Sequence, residues 1–246
     1  MIHRGSQAKV TVRSSKSARI SMTVSGDELT ISGHSASGLL LGELDYSGSQ
    51  PVVEVTVPKR TQLQNVSVDG LTDTRLEDLA LKDVTMGDGD LRLTRVTVSD
   101  HLRSKANSYG DLTLQDTTID KGFEADTAGD ITVTDSQFKQ KSTTVHSSDG
   151  DIYLRGNRWQ SADITADDGD INLANETVAT QMTARANDGG DINAGITPTK
   201  RTVIRANASD GDVMIYGKNQ QQYGQTGQNK TVYQLSSTDG DVTVRK

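Results

Sequence analysis

Asp149-Gly150-Asp151-Ile152-Tyr153-Leu154 is one copy of a motif, Gly-Asp-(Leu/Ile/Val)-x-(apolar), that returns along most of this 246-residue chain. The motif aspartate falls at Asp90, Asp111, Asp130, Asp151, Asp170, Asp191, Asp212 and Asp241, with successive gaps of 21, 19, 21, 19, 21, 21 and 29 residues. A period near twenty with a strand in every unit marks a solenoid.

Working outward from the motif, one and three residues after the aspartate come apolar pairs: Leu91/Leu93, Leu112/Leu114, Ile131/Val133, Ile152/Leu154, Ile171/Leu173, Ile192/Ala194 and Val213/Ile215. A spacing of two puts both side chains on one face of a strand. Eight residues after the aspartate stand Val98, Ile119, Phe138, Trp159 and Val178, a second inward position. Val145, Ile164, Ala184/Ala186, Ile204/Ala206 and Tyr233/Leu235 make a third, just ahead of the next motif. The expected fold is all-β: a single-stranded parallel β-helix of ~20-residue coils, wound right-handed as parallel crossovers usually are. Seven coils at the ~4.8 Å strand spacing would give a solenoid of about 35 Å.

The flanks differ. Residues 1–58 read as an irregular N-terminal β segment capping the first coil, and residues 59–246 as the β-helix. Lys9–Arg13, Arg19–Val24 and Glu28–Ile31 alternate as strands, with a hairpin turn at Ser25-Gly26-Asp27. Leu39-Leu40-Leu41 with Leu44 and Tyr46 suggests another strand, and Pro51–Pro58 one closed by a proline at each end. The Leu76–Leu81 stretch has some helical character, but its place in the repeat register favours strand. The 29-residue unit carries a polar excess, 218–230, expected as a loop projecting from one side. The strand 241–245 then ends the chain as an incomplete coil with an open edge.

Composition narrows the function classes. Hydrophobic residues are 33% and aromatics 4%, which suits a narrow aliphatic core. A net charge of −7 and scattered aromatics argue against nucleic acid. There are no cysteines, so disulfide and thiolate chemistry is excluded. No apolar run reaches the ~18 residues of a membrane span, and the start does not read as a signal peptide.

The copies Ser148–Ile152, Asp167–Ile171, Ser209–Val213 and Thr238–Val242, preceded by Val53–Pro58, resemble the bacterial adhesin-type family of β-strand-repeat proteins, a family of unknown function with Gly-Asp-Ile repeats. The resemblance covers about residues 50–246. It implies a parallel β-helix on the cell surface or outside the cell, without established catalytic residues. Cytoplasmic residence is the alternative, because the membrane anchor of many such proteins is not in this sequence.

Candidate sites are few. Asp149, Asp151, Asp168, Asp170, Asp210 and Asp212 form two columns of acids around glycine turns, a pattern that suits calcium. Turn chemistry, with the carboxylate accepting backbone N–H groups, is the favoured reading. No cofactor is expected beyond that calcium. Paired carboxylates on a β-helix also suit glycan cleavage, as a lyase or hydrolase, but here every coil has acids at the same turn. His3, His34, His101 and His146 share no metal-ligand spacing. Tyr109 and Tyr153 fall outside the inward register, and Tyr223 lies in the 218–230 excess, so these three are the candidate binding residues. The expected role is a non-catalytic binding or spacer module that meets a cell-surface glycan or protein. It would be a monomer or self-associate weakly through its end coils, a self-assembling structural protein being the stronger form of that idea.

Overall fold

The computed structural model describes residues 1–13, 18–35, 52–58, 61, 63–69, 73–105 and 110–246. Tyr109, Pro51 and the run Leu39-Leu40-Leu41 with Leu44 and Tyr46 lie outside them. The chain divides into two compact units, Met1–Thr61 and Gln62–Lys246. Among the described residues every regular element is a strand.

In the first unit, Val52–Pro58 is the central strand. Ile2–Gly5 runs parallel to it on one side and Lys9–Arg13 antiparallel on the other, both meeting Val55. Ala18–Ser25 and Glu28–Ser35 form an antiparallel hairpin closed at Gly26-Asp27, with Gly26 at φ +59°. That φ is one that glycine adopts without a Cβ penalty.

The second unit is solenoid-like. Thr74–Glu77 and the strands that follow the motif aspartates stack in parallel: Leu91–Thr94, Leu112–Gln115, Ile131–Thr134, Ile152–Arg155, Ile171–Ala174 and Ile192–Gly195. Register matches like with like, so Leu91 lies beside Leu112, Leu112 beside Ile131, and Ile131 beside Ile152. A second parallel stack runs Asn65–Val68, Asp83–Met86, His101–Lys105, Gly122–Thr127, Thr144–Ser147, Arg158–Ala166 and Thr177–Ala186. The stretch read as partly helical splits into Thr74–Glu77 and Ala80–Leu81, both strands in register with the next coil.

The three inward columns are buried. At the second, Phe138 and Trp159 stack with ring centroids 3.9 Å apart and planes 4° from parallel, and Phe123 lies 5.0 Å from Phe138. Each buried aliphatic side chain contributes about 1.5–3 kcal/mol, so the core is built in equal increments, one coil at a time.

Two expectations about the C-terminal end are corrected. After Ile192–Gly195 the chain skips a level: Thr202–Ala208 and Val213–Ile215 form an outer coil. The chain then returns, and Thr231–Ser237 slots between Thr177–Ala186 and Thr202–Ala208. Val242–Arg245 likewise slots between Ile192–Gly195 and Val213–Ile215. The last strand is therefore bonded on both sides rather than left as an open edge.

Residues 218–230 do not simply project as a loop. Lys218–Asn219 pairs antiparallel with Met214–Ile215, and Gln222–Tyr223 with Ile204–Arg205. An outer coil presents a row of unpaired N–H and C=O groups, and these two short polar strands satisfy part of it. Tyr223 of this cover meets Tyr216 edge to face at 4.9 Å, and the Tyr216 hydroxyl donates to the Ile196 carbonyl at 2.9 Å.

Candidate functional site

The motif corner is the most repeated chemistry in the molecule. From Asp111 onward, the backbone N–H of each motif aspartate donates to Oδ1 of the motif aspartate one level below. The bonds run from Asp111 to Asp90, Asp130 to Asp111 and Asp151 to Asp130 at 2.9 Å, then from Asp170 to Asp151 and Asp191 to Asp170 at 2.8 Å. The ladder continues through the inserted coil, from Asp241 to Asp191 at 2.7 Å and from Asp212 to Asp241 at 2.8 Å. The carboxylate does accept a backbone N–H, as turn chemistry requires, but the donor belongs to the neighbouring coil.

Glycine precedes each aspartate for a related reason. A Cβ on Gly150 would lie 2.4 Å from the carbonyl carbon of Gly129, and one on Gly240 would lie 2.3 Å from the Gly190 carbonyl oxygen. The column is held by close backbone approach between coils, which only glycine allows. A buried hydroxyl completes the corner. Ser147 Oγ donates to the Gly129 carbonyl at 2.8 Å and accepts from the Gly150 N–H at 3.0 Å; Ser237 does the same with Gly190 and Gly240.

The candidate acids thus separate into two sets. Asp151, Asp170 and Asp212 stand in the ladder. Asp149, Asp168 and Asp210 point outward and are exposed. Stacked like charges have a cost: burial and the charges of Asp90 and Asp130 raise the Asp111 pKa above the usual carboxylate range, against the lowering effect of the Asp130 N–H. Tyr153 is 42% exposed and donates from its hydroxyl to Asp151 Oδ2 at 2.6 Å, which with partial burial and the nearby acids pushes its pKa up to about 12. Tyr223 is half-buried in the terminal cover.

A second polar ladder, which no residue motif announces, lines the next corner. The Thr117 N–H donates to Ser136 Oγ at 3.0 Å, the Ser136 N–H to Asn157 Oδ1 at 2.9 Å, and the Asn157 N–H to Glu176 Oε1 at 3.3 Å. Thr117, Ser136 and Asn157 are buried. Glu176 also accepts from Trp159 Nε1. Burial pushes its pKa up to about 7, against the lowering effect of these hydrogen bonds. Beside this ladder the chain turns through left-handed backbone at Asp78, Arg95, Asp116, Asp135, Gly156 and Asn175. Asp and Asn tolerate that conformation better than most residues.

On the second stack, His146 bridges coils. Nδ1 lies 2.7 Å from Asp126 Oδ1 and Nε2 lies 3.0 Å from Asp167 Oδ2. Burial alone would lower its pKa; the hydrogen bonds to both carboxylates outweigh that and raise it. Sequence spacing misses this because the three residues lie twenty or more positions apart. The coil register supplies the signal, since Asp126 and His146 are register partners.

No helix among the described residues is long and apolar enough to cross a membrane. No curated protein and no solved structure matches the chain. The Toastrack DUF4097 domain matches residues 1–245, and the chain therefore belongs to that family, whose β-repeat fold carries no assigned function.

Proposed function

We propose that this protein is a non-catalytic, adhesin-like module of the cell envelope, a right-handed β-helix that holds a regular polar face toward a surface glycan or protein. One observation supports this reading above the others. The motif acids, the natural place for a catalytic carboxylate pair on such a scaffold, hold the next coil's backbone N–H from Asp90 to Asp241. An enzyme needs one site unlike the rest, and adjacent acids in this ladder stand in equivalent positions. The outward residues of the motif strands, Thr113, Thr132, Tyr153, Asn172 and Asn193, are register partners and form a row suited to hydrogen bonding along an extended partner.

Incubation with a panel of cell-wall and capsular polysaccharides tests the proposal. The expected result is retention on an insoluble glycan or on whole cells with no release of sugar. Turnover abolished by a single acidic substitution would replace this reading with a glycan-active enzyme.

A further inference from the structure

Asp83, Asp100 and His101 come together where two successive coils meet on the second stack. Asp83 opens the strand Asp83–Met86 and His101 opens His101–Lys105; Val84 and Leu102 are register partners. The His101 N–H donates to Asp83 Oδ1 at 3.2 Å. His101 Nδ1 lies 2.7 Å from Asp100 Oδ1 and 3.6 Å from Asp83 Oδ1. All three ligand-type atoms lie within 4.8 Å of one another, the one such group among the described residues.

We propose that these three residues bind a divalent transition cation of the zinc class. The donor set is one imidazole nitrogen and two carboxylate oxygens, which suits zinc and its neighbours; calcium takes six to eight oxygens. Ligands at zinc–nitrogen and zinc–oxygen distances of about 2.1 Å around a tetrahedral ion stand about 3.4 Å apart. The Asp83–His101 separation of 3.6 Å is already close to this, and the Asp100–His101 separation of 2.7 Å lengthens by about 0.7 Å to reach it.

Two exposed lysines pair with these carboxylates. Lys82 lies 3.6 Å from Asp83 Oδ2 and Lys121 lies 3.5 Å from Asp100 Oδ2. Each lysine takes the outer oxygen, so both inner oxygens face the imidazole. The ring is seated on the next coil: a Cβ on Gly122 would meet His101 Cδ2 at 2.2 Å, so glycine there leaves the space that the imidazole occupies. The three side chains are half-buried, which leaves the remaining coordination position to water.

The test is calorimetric titration of the full, untagged chain with zinc chloride at pH 7.5. One saturable site is expected, weakened at least roughly tenfold by His101→Ala or Asp100→Asn. His146→Ala is expected to leave it unchanged, and calcium not to compete. In the wild-type chain, zinc should shift the His101 ring resonances first, a readout independent of how the variants fold. Zinc binding that survives His101→Ala, binding lost in His146→Ala, or His101 resonances that do not move would overturn the assignment.

Discussion

From Asp90 to Asp191 the order of coils along the chain is their order in space; beyond Asp191 it is not. Asp191 is followed in the ladder by Asp241 and only then by Asp212. The glycine column makes the same exchange, Gly190 to Gly240 to Gly211. The bonds across the two regions are nevertheless alike, at 2.8–2.9 Å in the first and 2.7–2.8 Å in the second. The motif therefore works as a docking unit between levels, whichever part of the chain supplies the neighbouring level. Local turn chemistry would link residues a few positions apart, whereas the ladder links residues 19 to 50 positions apart.

The largest expected way to break the comparison is removal of residues 231–246. Trimming a solenoid whose chain and spatial orders agree removes an end coil and leaves the rest. Here it removes an inner level, so the outer coil Thr202–Ile215 loses the strands beneath it. Hydrogen exchange should show protection in Thr202–Ala208 falling to that of a frayed end, with Leu112–Leu173 unaffected. Unchanged protection in Thr202–Ala208 would mean that the outer coil docks elsewhere.

Next comes glycine. Gly150→Val in the regular region and Gly240→Val in the inserted coil force the same backbone collision, and each should cost about 3 kcal/mol in urea unfolding. A much smaller cost at Gly240 would show that the inserted coil is loosely held.

The smallest effects concern pH. The raised pKa of His146 contributes stability that is present below its unfolded pKa and lost as pH rises through its folded value. Glu176, pushed up to about 7, acts in the same direction: its protonated form suits the fold, and stability is lost as pH rises from the ordinary glutamate range through about 7. A pH series of thermal midpoints should flatten in part in His146→Gln and further with Glu176→Gln added. A slope unchanged in the double variant would assign the pH dependence to other groups.

Much of the fold was legible because the Asp corner uses one residue type in every coil and the strand after it alternates cleanly. The adjoining corner was not, because its requirement is looser. Thr117, Ser136, Asn157 and Glu176 share only an oxygen that accepts an N–H, and the same column begins with the apolar Leu79 and Val96. The left-handed turn beside it accepts Asp, Arg, Gly and Asn alike. The exchange of levels left no trace that periodicity could read, since a 29-residue gap looks like an insertion whether or not the chain doubles back. His146 and Asp167 meet only because the coils stack, and no spacing rule reaches across 21 residues.

The central claim is that the motif aspartate serves through an acceptor oxygen between coils, not through its charge. Urea unfolding of Asp151→Asn beside Asp151→Ala, in chelator and in millimolar calcium, tests it most directly. Asn keeps the oxygen that receives the Asp170 N–H and removes one of a row of like charges. The expected result is that Asp151→Asn stays within about 0.5 kcal/mol of the wild type, Asp151→Ala loses about 1–2 kcal/mol, and calcium changes neither value. Equal losses in the two variants, with calcium stabilising only the wild type, would contradict it and make the column a cation site.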